Sequence, residues 1–383
     1  MLRFAATRAQ LDLVTYRQNL SRLRELASPS RLLVVVKANA YGHGVEVLCR
    51  VLREMPDLWL GVATLDEGIE LRELGVKNPI LMMGFYCLPG VAATVLEYRL
   101  TPAIFNLEMA ERTQQAASRM GVRIAVHIKV DTGMARLGAR GEEVERLCLY
   151  LAEQCPNLKV EGIFSHLADT TDPDLYELQR RRFEEACRVA EELLGPGLIR
   201  HLHSSAGLLL YPEHRYEMVR VGILSLGYPP PGAGEVPEGV SPVLTLKSQI
   251  MDLRRLGPSE GVSYHHRYRA DREVLIATVP MGYADGYSTL LSGCGYALVR
   301  GRRVPVVGQV TMDYLMLDVS EVSGVKVEDE VVLVGAQGEE AVWFDQLAEL
   351  SGLSIYELMS SLGRRIKREP TVEELTRDLI AGF

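Results

Sequence analysis

Lys37 is the residue in this sequence best placed to do chemistry. It follows five consecutive apolar residues, 32–36 (LLVVV). An apolar run of that kind belongs in a buried strand, so a lysine at its end enters a partly enclosed space. Burial disfavours the ammonium form and leaves a nucleophilic amine. Such an amine condenses with an aldehyde cofactor as a Schiff base. A lysine capping a strand at the surface is the plainer alternative. Arg220 is a second candidate, because a guanidinium stays cationic under any accessible condition. Facing a pyridine nitrogen, it keeps that nitrogen unprotonated and favours a brief carbanion with simple reprotonation. Its plainer alternative is a salt bridge to a nearby carboxylate such as Glu217. Ser204-Ser205-Ala206-Gly207 and Gly222-Ile223 supply small hydroxyls and close backbone N–H groups that suit a phosphate. An ordinary Ser/Gly turn is the alternative there.

These residues must be held by regular elements. Apolar runs at 32–36, 58–63, 80–83, 101–104, 122–130, 160–165, 199–203 and 218–221 read as strands. Helical spacing occupies segments between them, among them 44–53, 66–74, 107–119, 141–153 and 174–194. Continuous apolar strands separated by amphipathic helices predict a parallel sheet covered on both faces. Eight such units are the number that closes a (β/α)8 barrel, which the count favours over a doubly wound open sheet. In such a barrel the loops after the strands carry function. Lys37, then Lys129, Asp131 and Arg136, then His166, then His203 to Ser205, then Arg220 and Gly222 all fall at predicted strand ends. That rim suits an anionic ligand that contains nitrogen.

Five of the eighteen prolines fall within 226–242, so this stretch is a linker or a long loop. Beyond it the predicted strands are 243–256, 274–280, 296–299, 304–310, 315–319 and 330–334, with helices at 343–350 and 354–362. The expected organisation is an α/β chain. A TIM-like barrel over 11–228 precedes a mostly-β domain over 229–383, with residues 1–10 assigned alongside the second.

Composition narrows the class. A net charge of −8 argues against non-specific nucleic-acid binding, which needs clustered Lys and Arg. No window is apolar for long enough to span a bilayer, and the opening MLRFAATRAQLDLV lacks the apolar core of a signal peptide. Cys49, Cys87, Cys148, Cys155, Cys187 and Cys294 form no C-x-x-C pair and read as reduced thiols. The expectation is a cytoplasmic protein with no membrane partner and no bound metal.

The motifs resemble those of alanine racemases. VVVKANAYGHG (34–44), VDTGMARLG (130–138), FSHLA (164–168), VRVGI (219–223), GVSY (261–264), GYADGY (282–287), Met312-Asp313 and IYEL (355–358) occur in the family's order across nearly the whole chain. The first motif is highly specific. The resemblance implies a pyridoxal 5′-phosphate enzyme that interconverts L- and D-alanine and supplies D-alanine for peptidoglycan. It implies Lys37 as the cofactor lysine and one base, and Tyr264 as the second base. Tyr41, Ser205, Gly222, Ile223 and Tyr356 would bind phosphate, and Arg220 the pyridine nitrogen. Arg136 would contact the cofactor phenolate and the substrate carboxylate, which the Met312 backbone also holds. His166 would link Arg220 to Tyr264, and Tyr283 would lie in the substrate passage. Lys129 matches a position carbamylated in some members. The family works as a homodimer with shared active sites, Tyr264 reaching the other subunit's barrel.

Some positions depart from the family's pattern. Its Asn-Ser-Ala stretch is Ser204-Ser205-Ala206 here, and two passage positions often held by arginine align with Thr289 and Gln309. Fewer cations at the mouth would attract a carboxylate less and would admit larger side chains. The competing readings are therefore a broad-specificity racemase or an amino-acid decarboxylase on the same barrel. A decarboxylase would set an acid, not Arg220, at the pyridine nitrogen. A non-catalytic cofactor carrier of this barrel type would lack the β domain and Tyr264. His265-His266-Arg267 reads as a basic loop near the dimer interface.

Overall fold

The computed structural model describes residues 6–84 and 90–371. Its chain divides into two compact units. One comprises residues 16–38 and 49–241. The other gathers residues 39–48, the described residues up to 15 and those from 242 onward.

After an N-terminal strand β1 (Arg8–Leu11), eight strands build the first unit. They are β2 (Arg31–Val35), β3 (Trp59–Val62), β4 (Ile80–Met82), β5 (Thr101–Ile104), β6 (Ile124–Lys129), β7 (Leu158–Phe164), β8 (Ile199–His201) and β9 (Met218–Val221). Neighbours pair in parallel in the order β8-β7-β6-β5-β4-β3-β2-β9. The sheet curls into a nearly closed barrel, as the strand count predicts. Its seam lies between β8 and β9, where the Arg220 N–H donates to the His203 carbonyl at 3.0 Å. β3 and β4 are buried at every position, as parallel strands covered on both faces must be.

The helices start and stop on ordinary capping chemistry. Asp172 accepts from the N–H groups of Asp174 and Leu175 ahead of helix Pro173–Leu194, and Pro173 opens its first turn. That helix buries Tyr176, Gln179, Phe183, Ala186, Cys187 and Ala190 along one face. Helix Leu107–Met120 is capped by Asn106 and ends at Gly121 in the left-handed conformation.

The second unit is mostly β. It adds β10 (Leu244–Gln249), β11 (Asp252–Leu256), β12 (Gly261–Val262), β13 (Tyr268–Arg269), β14 (Val274–Val279), β15 (Tyr296–Val299), β16 (Arg302–Pro305), β17 (Leu315–Asp318), β18 (Glu330–Gln337), β19 (Glu340–Val342) and β20 (Lys367–Pro370). One sheet runs β16-β15-β18-β10-β1-β20, with β19 added to β18. A second runs β11-β14-β17, and β12 pairs with β13. Helices Phe344–Ser351 and Ile355–Ser360 follow, close to their predicted spans.

Two predicted strands need correction. The run 243–256 is two strands in different sheets. The switch falls at Ile250 and Met251, whose N–H groups donate to Asp329 and Thr278 respectively. The run 304–310 ends as a strand at Pro305, and Gly308 at φ 69 turns the chain away. Cys49, Cys148, Cys155, Cys187 and Cys294 form no disulfide among the described residues, and Cys87 lies outside them. Among the described residues no helix is long and apolar enough to cross a membrane.

Phe183 is fully buried on helix Pro173–Leu194, which packs against β7. Phe183→Ala is expected to cost about 3–5 kcal/mol of unfolding free energy, read as a lower urea midpoint for the barrel signal.

Candidate active site

In the barrel unit the chemistry gathers where the strands end. Arg220, on β9, is 3% exposed, yet no carboxylate lies within ion-pairing distance among the described residues. Glu217 instead pairs with Arg200 at 2.6 Å, which sets aside a Glu217 salt bridge to Arg220. Carbonyls hold the guanidinium. Nη1 donates to His201 O at 2.7 Å, and Nη2 donates to Ser165 O at 2.6 Å and Leu202 O at 2.9 Å. The same nitrogens reach His201 Nδ1 at 3.1 Å and His166 Nδ1 at 3.4 Å. Nε–H is the donor these bonds leave over. Burial pulls Arg220 down to about 9, so it remains charged at neutral pH.

That charge dictates the histidines around it. A guanidinium only donates, so Nδ1 of His201 and of His166 must accept, and each ring's proton sits on Nε2. His201 Nε2–H then donates to His127 Nδ1 at 2.8 Å. Burial first, and Arg220 among the charges that add to it, keeps all of them neutral. His166 is pushed to about 3, His127 to about 3 and His203 to about 4, and His201 well below its ordinary value. Phe164 stacks on His201 at 4.8 Å and lies 5.5 Å from both the Arg220 and the Lys129 cationic groups.

Lys37 is partly buried at the end of β2. Burial lowers its pKa, Arg136 lowers it further, and Glu67 opposes both. Lys129 Nζ donates to Met83 O at 2.9 Å. Burial, then Arg136, Arg220 and Lys37, bring it to about 8. Arg136 is exposed on a loop folded back by Asp131, whose carboxylate accepts from Gly133 N at 2.9 Å and Ala135 N at 3.1 Å. Gly138 lets this loop close, since a Cβ there would sit 2.3 Å from Asp131 N. Ser205 Oγ accepts from Gly222 N at 3.1 Å, which joins the two predicted phosphate segments. Lys37, Lys129, Arg136 and Glu67 are thus coupled electrostatically, and Arg220, His166, Ser205 and Gly222 are linked through β8 and β9. Ile223 is buried at the start of a short 3-10 turn.

The β-rich unit holds the remaining candidates. Tyr41 and Tyr356 lie with ring centroids 6.1 Å apart, and burial raises the Tyr356 pKa. Arg368 grips the turn after Tyr41, donating to Gly42 O at 2.9 and 3.0 Å and to the carbonyls of Leu362, Gly363 and Ile366. Tyr264, Tyr283 and Met312 are 64%, 47% and 52% exposed, unusual for groups of their size. Tyr283 and Met312 share one knot. Tyr283 N donates to Thr311 O, Ala284 N donates to Met312 O, and a Cβ on Gly282 would lie 2.3 Å from Met312 O. Arg365 braces it through Asp285 at 2.9 Å and Asp313 at 2.6 Å. Tyr264 tops the β12–β13 hairpin, and Ser263, just before it, donates from Oγ to Gln309 O at 2.7 Å. His266 lies over Gly261, where a Cβ would meet its ring at 2.2 Å.

Residues 11–230 match the family described as alanine racemase, N-terminal domain, and residues 243–370 match alanine racemase, C-terminal domain. The chain belongs to the alanine racemase family. An alanine racemase of Symbiobacterium thermophilum is 41% identical over 367 residues, covering 94% of this chain and 96% of that protein. One of Desulfovibrio desulfuricans is 39% identical over 363 residues, covering 94% and 96%. The crystal structure of an alanine racemase from Streptomyces lavendulae superposes with a TM-score of 0.91 at 29% identity, covering 96% of this chain and 97% of that one.

Sequence reasoning passed over His127, His201, Arg365 and Arg368. His127 lies two residues from Lys129, and His201 two from His203. A spacing of two in an apolar strand puts both side chains on one face, so the inward pairs had a signal. Arg368 and Arg365 carry none, because their partners are backbone or distant carboxylates.

The neutral histidines make stability depend on pH. Unfolding returns each to about 6.5, so between 6.5 and its folded value the unfolded chain binds more protons. Stability contributed by these histidines is present above 6.5 and is lost as pH falls toward 4 and below. His127→Gln is expected to reduce proton uptake on unfolding at pH 5 by about one, seen as a shallower fall of the denaturation midpoint between pH 7 and 5.

Proposed function

We propose that this chain interconverts L- and D-alanine with pyridoxal 5′-phosphate bound through Lys37, as a cytoplasmic homodimer that supplies D-alanine for peptidoglycan. The observation that carries this reading is Arg220. It is a buried guanidinium with no counter-ion among the described residues and one donor, Nε–H, left over by its hydrogen bonds there, in the same barrel unit as a lysine of lowered pKa. The donor set fits the cofactor. Lys37 would hold its aldehyde carbon, Ser205, Gly222, Ile223, Tyr41 and Tyr356 its phosphate, Arg136 its phenolate, and Arg220 Nε–H its ring nitrogen. Bound there, the cofactor supplies an electron-withdrawing ring that acidifies the α C–H bond of an attached amino acid.

The chain's own groups then move the proton. Arg220 donates and cannot accept, so it leaves the ring nitrogen unprotonated. Lys37 Nζ would take or return the α-proton on one face. Tyr264 Oη of a second copy would serve the other face, and its exposure in the single chain supports that partnership. Neutral His166, its proton fixed on Nε2 by Arg220, would donate to that phenolic oxygen and stabilise it as phenolate. Arg136 and the Met312 backbone would orient the substrate carboxylate, and Tyr283 would line its path. Lys129, at about 8, is partly neutral near pH 7 and nucleophilic enough to take up carbon dioxide. The neutral amine would add to the carbon of carbon dioxide and release a proton to solvent, and the resulting carbamate would turn a cation beside Arg136 into an anion. The uncharged Thr289 and Gln309 favour a second reading, a racemase of wider side-chain range.

In heavy water the purified enzyme is expected to place deuterium at Cα of both alanine enantiomers, and a panel of other amino acids separates the two readings. Lys37→Ala should lose the cofactor's visible absorbance. Tyr264→Phe should keep it and lose about 10²–10⁴-fold in turnover. Co-expressed, the two variants form mixed dimers with one intact site, so about a quarter of wild-type activity should return. No recovery would rule out sites shared between subunits.

A further inference from the structure

The chain leaves Lys37 in an unusual way. Residues 38–41 all adopt left-handed backbone, with φ of 52, 55, 52 and 52 at Ala38, Asn39, Ala40 and Tyr41. A run of non-glycine residues in that conformation does not hold itself. Its first N–H, that of Ala38, belongs to the peptide bond that Lys37 itself forms. Fixing that peptide fixes the direction in which the Lys37 side chain departs.

Glu67 fixes it. Its Oε1 accepts the Ala38 N–H at 2.7 Å. Its Oε2 accepts the N–H of Ala63 at 2.7 Å and of Thr64 at 3.2 Å. Thr64 Oγ1 accepts the Glu67 N–H at 3.3 Å, completing a capping box for helix Leu65–Glu73. A capping box asks of the Glu67 carboxylate only the bond from the Thr64 N–H. The bonds to Ala38 and Ala63 exceed what the helix requires, and they tie the end of β2 to the end of β3. Glu67 also acts electrostatically on Lys37, against Arg136.

We propose that Glu67 is the positioning residue of the reactive lysine. Its carboxylate pins the Lys37–Ala38 peptide and thereby aims the amine. The inference rests on Lys37 being the cofactor lysine. The Glu67 carboxylate is engaged by the backbone N–H groups of Ala38, Ala63 and Thr64, so its effect on the reaction passes through Lys37.

Three variants of the holoenzyme test it. Glu67→Ala removes the three carboxylate bonds, Glu67→Gln keeps one acceptor oxygen, and Thr64→Ala removes the hydroxyl half of the cap but leaves the Ala38 bond. Amide exchange over residues 38–41, followed by mass spectrometry, should quicken about 10-fold or more in Glu67→Ala, less in Glu67→Gln, and stay unchanged in Thr64→Ala. Alanine turnover should fall about 10- to 100-fold in Glu67→Ala with KM nearly unchanged, and partly recover in Glu67→Gln. Thr64→Ala should lower the melting temperature and leave kcat alone. Equal loss of kcat in Thr64→Ala and Glu67→Ala would reduce Glu67 to a helix cap and overturn the proposal. Unchanged exchange in Glu67→Ala would overturn it as well. The exchange measurement needs no turnover, so it stands apart from failure of the racemase reading, which an inactive wild-type enzyme would show.

Discussion

A guanidinium that is charged at neutral pH sits inside the barrel of this protein, and among the described residues no anion neutralises it. Removing such an ion from water costs several kcal/mol even after the surroundings relax. Three carbonyl acceptors within 2.9 Å answer that cost, and hydrogen bonds to a charged group contribute about 1.5–3 kcal/mol each. All three carbonyls come from the ends of β7 and β8, while the arginine comes from β9. The side chain therefore bridges the seam where the β8–β9 ladder is missing. Closure of the barrel and orientation of the charge are one interaction.

The consequences spread outward from that charge. A carboxylate beside Arg220 would satisfy it and would also tie up its donors. Carbonyls satisfy it and leave Nε–H over. Two imidazoles are forced into one tautomer, and a third, His127, inherits its proton position from His201. None of the three is charged, so the arginine keeps its field. Lys37 and Lys129 feel further cations as well as burial, which is why both amines are easier to deprotonate than a solvated lysine. The barrel mouth is thus a place where anions are attracted and amines are reactive, the first because cations gather there and the second because burial, with those cations, disfavours the ammonium form.

Much of this was legible in the sequence, because the barrel is written in strand-length apolar runs and its rim in the residues just beyond them. The placing of Lys37, Arg220, Ser205 and Gly222 at strand ends follows from that rule, whereas the bond between Ser205 and Gly222 does not. The second unit was harder. Residues 243–256 look like one strand because hydrophobicity does not mark the point where successive N–H groups turn to different partners. The turn after Lys37 was less legible still. Ala38, Ala40 and Tyr41 are unremarkable in a right-handed helix, and the left-handed form costs about 1–2 kcal/mol for each. Side-chain bonds, one local and one long-range, help to select it. Asn39 Oδ1 accepts from Val45 N at 2.7 Å, and Arg368 holds the Gly42 carbonyl. Local sequence cannot report a bond made 326 residues away.

The same strain recurs around the other candidate base. Ser263, His265 and His266, which flank Tyr264, take φ of 61, 59 and 45. Non-glycine residues rarely accept this conformation, and outliers of this kind concentrate where function over-determines the backbone. Both groups assigned to move the α-proton therefore lie beside left-handed residues, each braced by buried or side-chain bonds. A flexible loop would also bring a lysine or a tyrosine to a substrate, but each turnover would then have to freeze its motion. A strained turn locked by tertiary bonds has already lost that freedom during folding. His266 finds its explanation here. His266 covers Gly261 and helps fix the hairpin tip, so the basic run that reads as a charged loop is part of the brace that presents Tyr264.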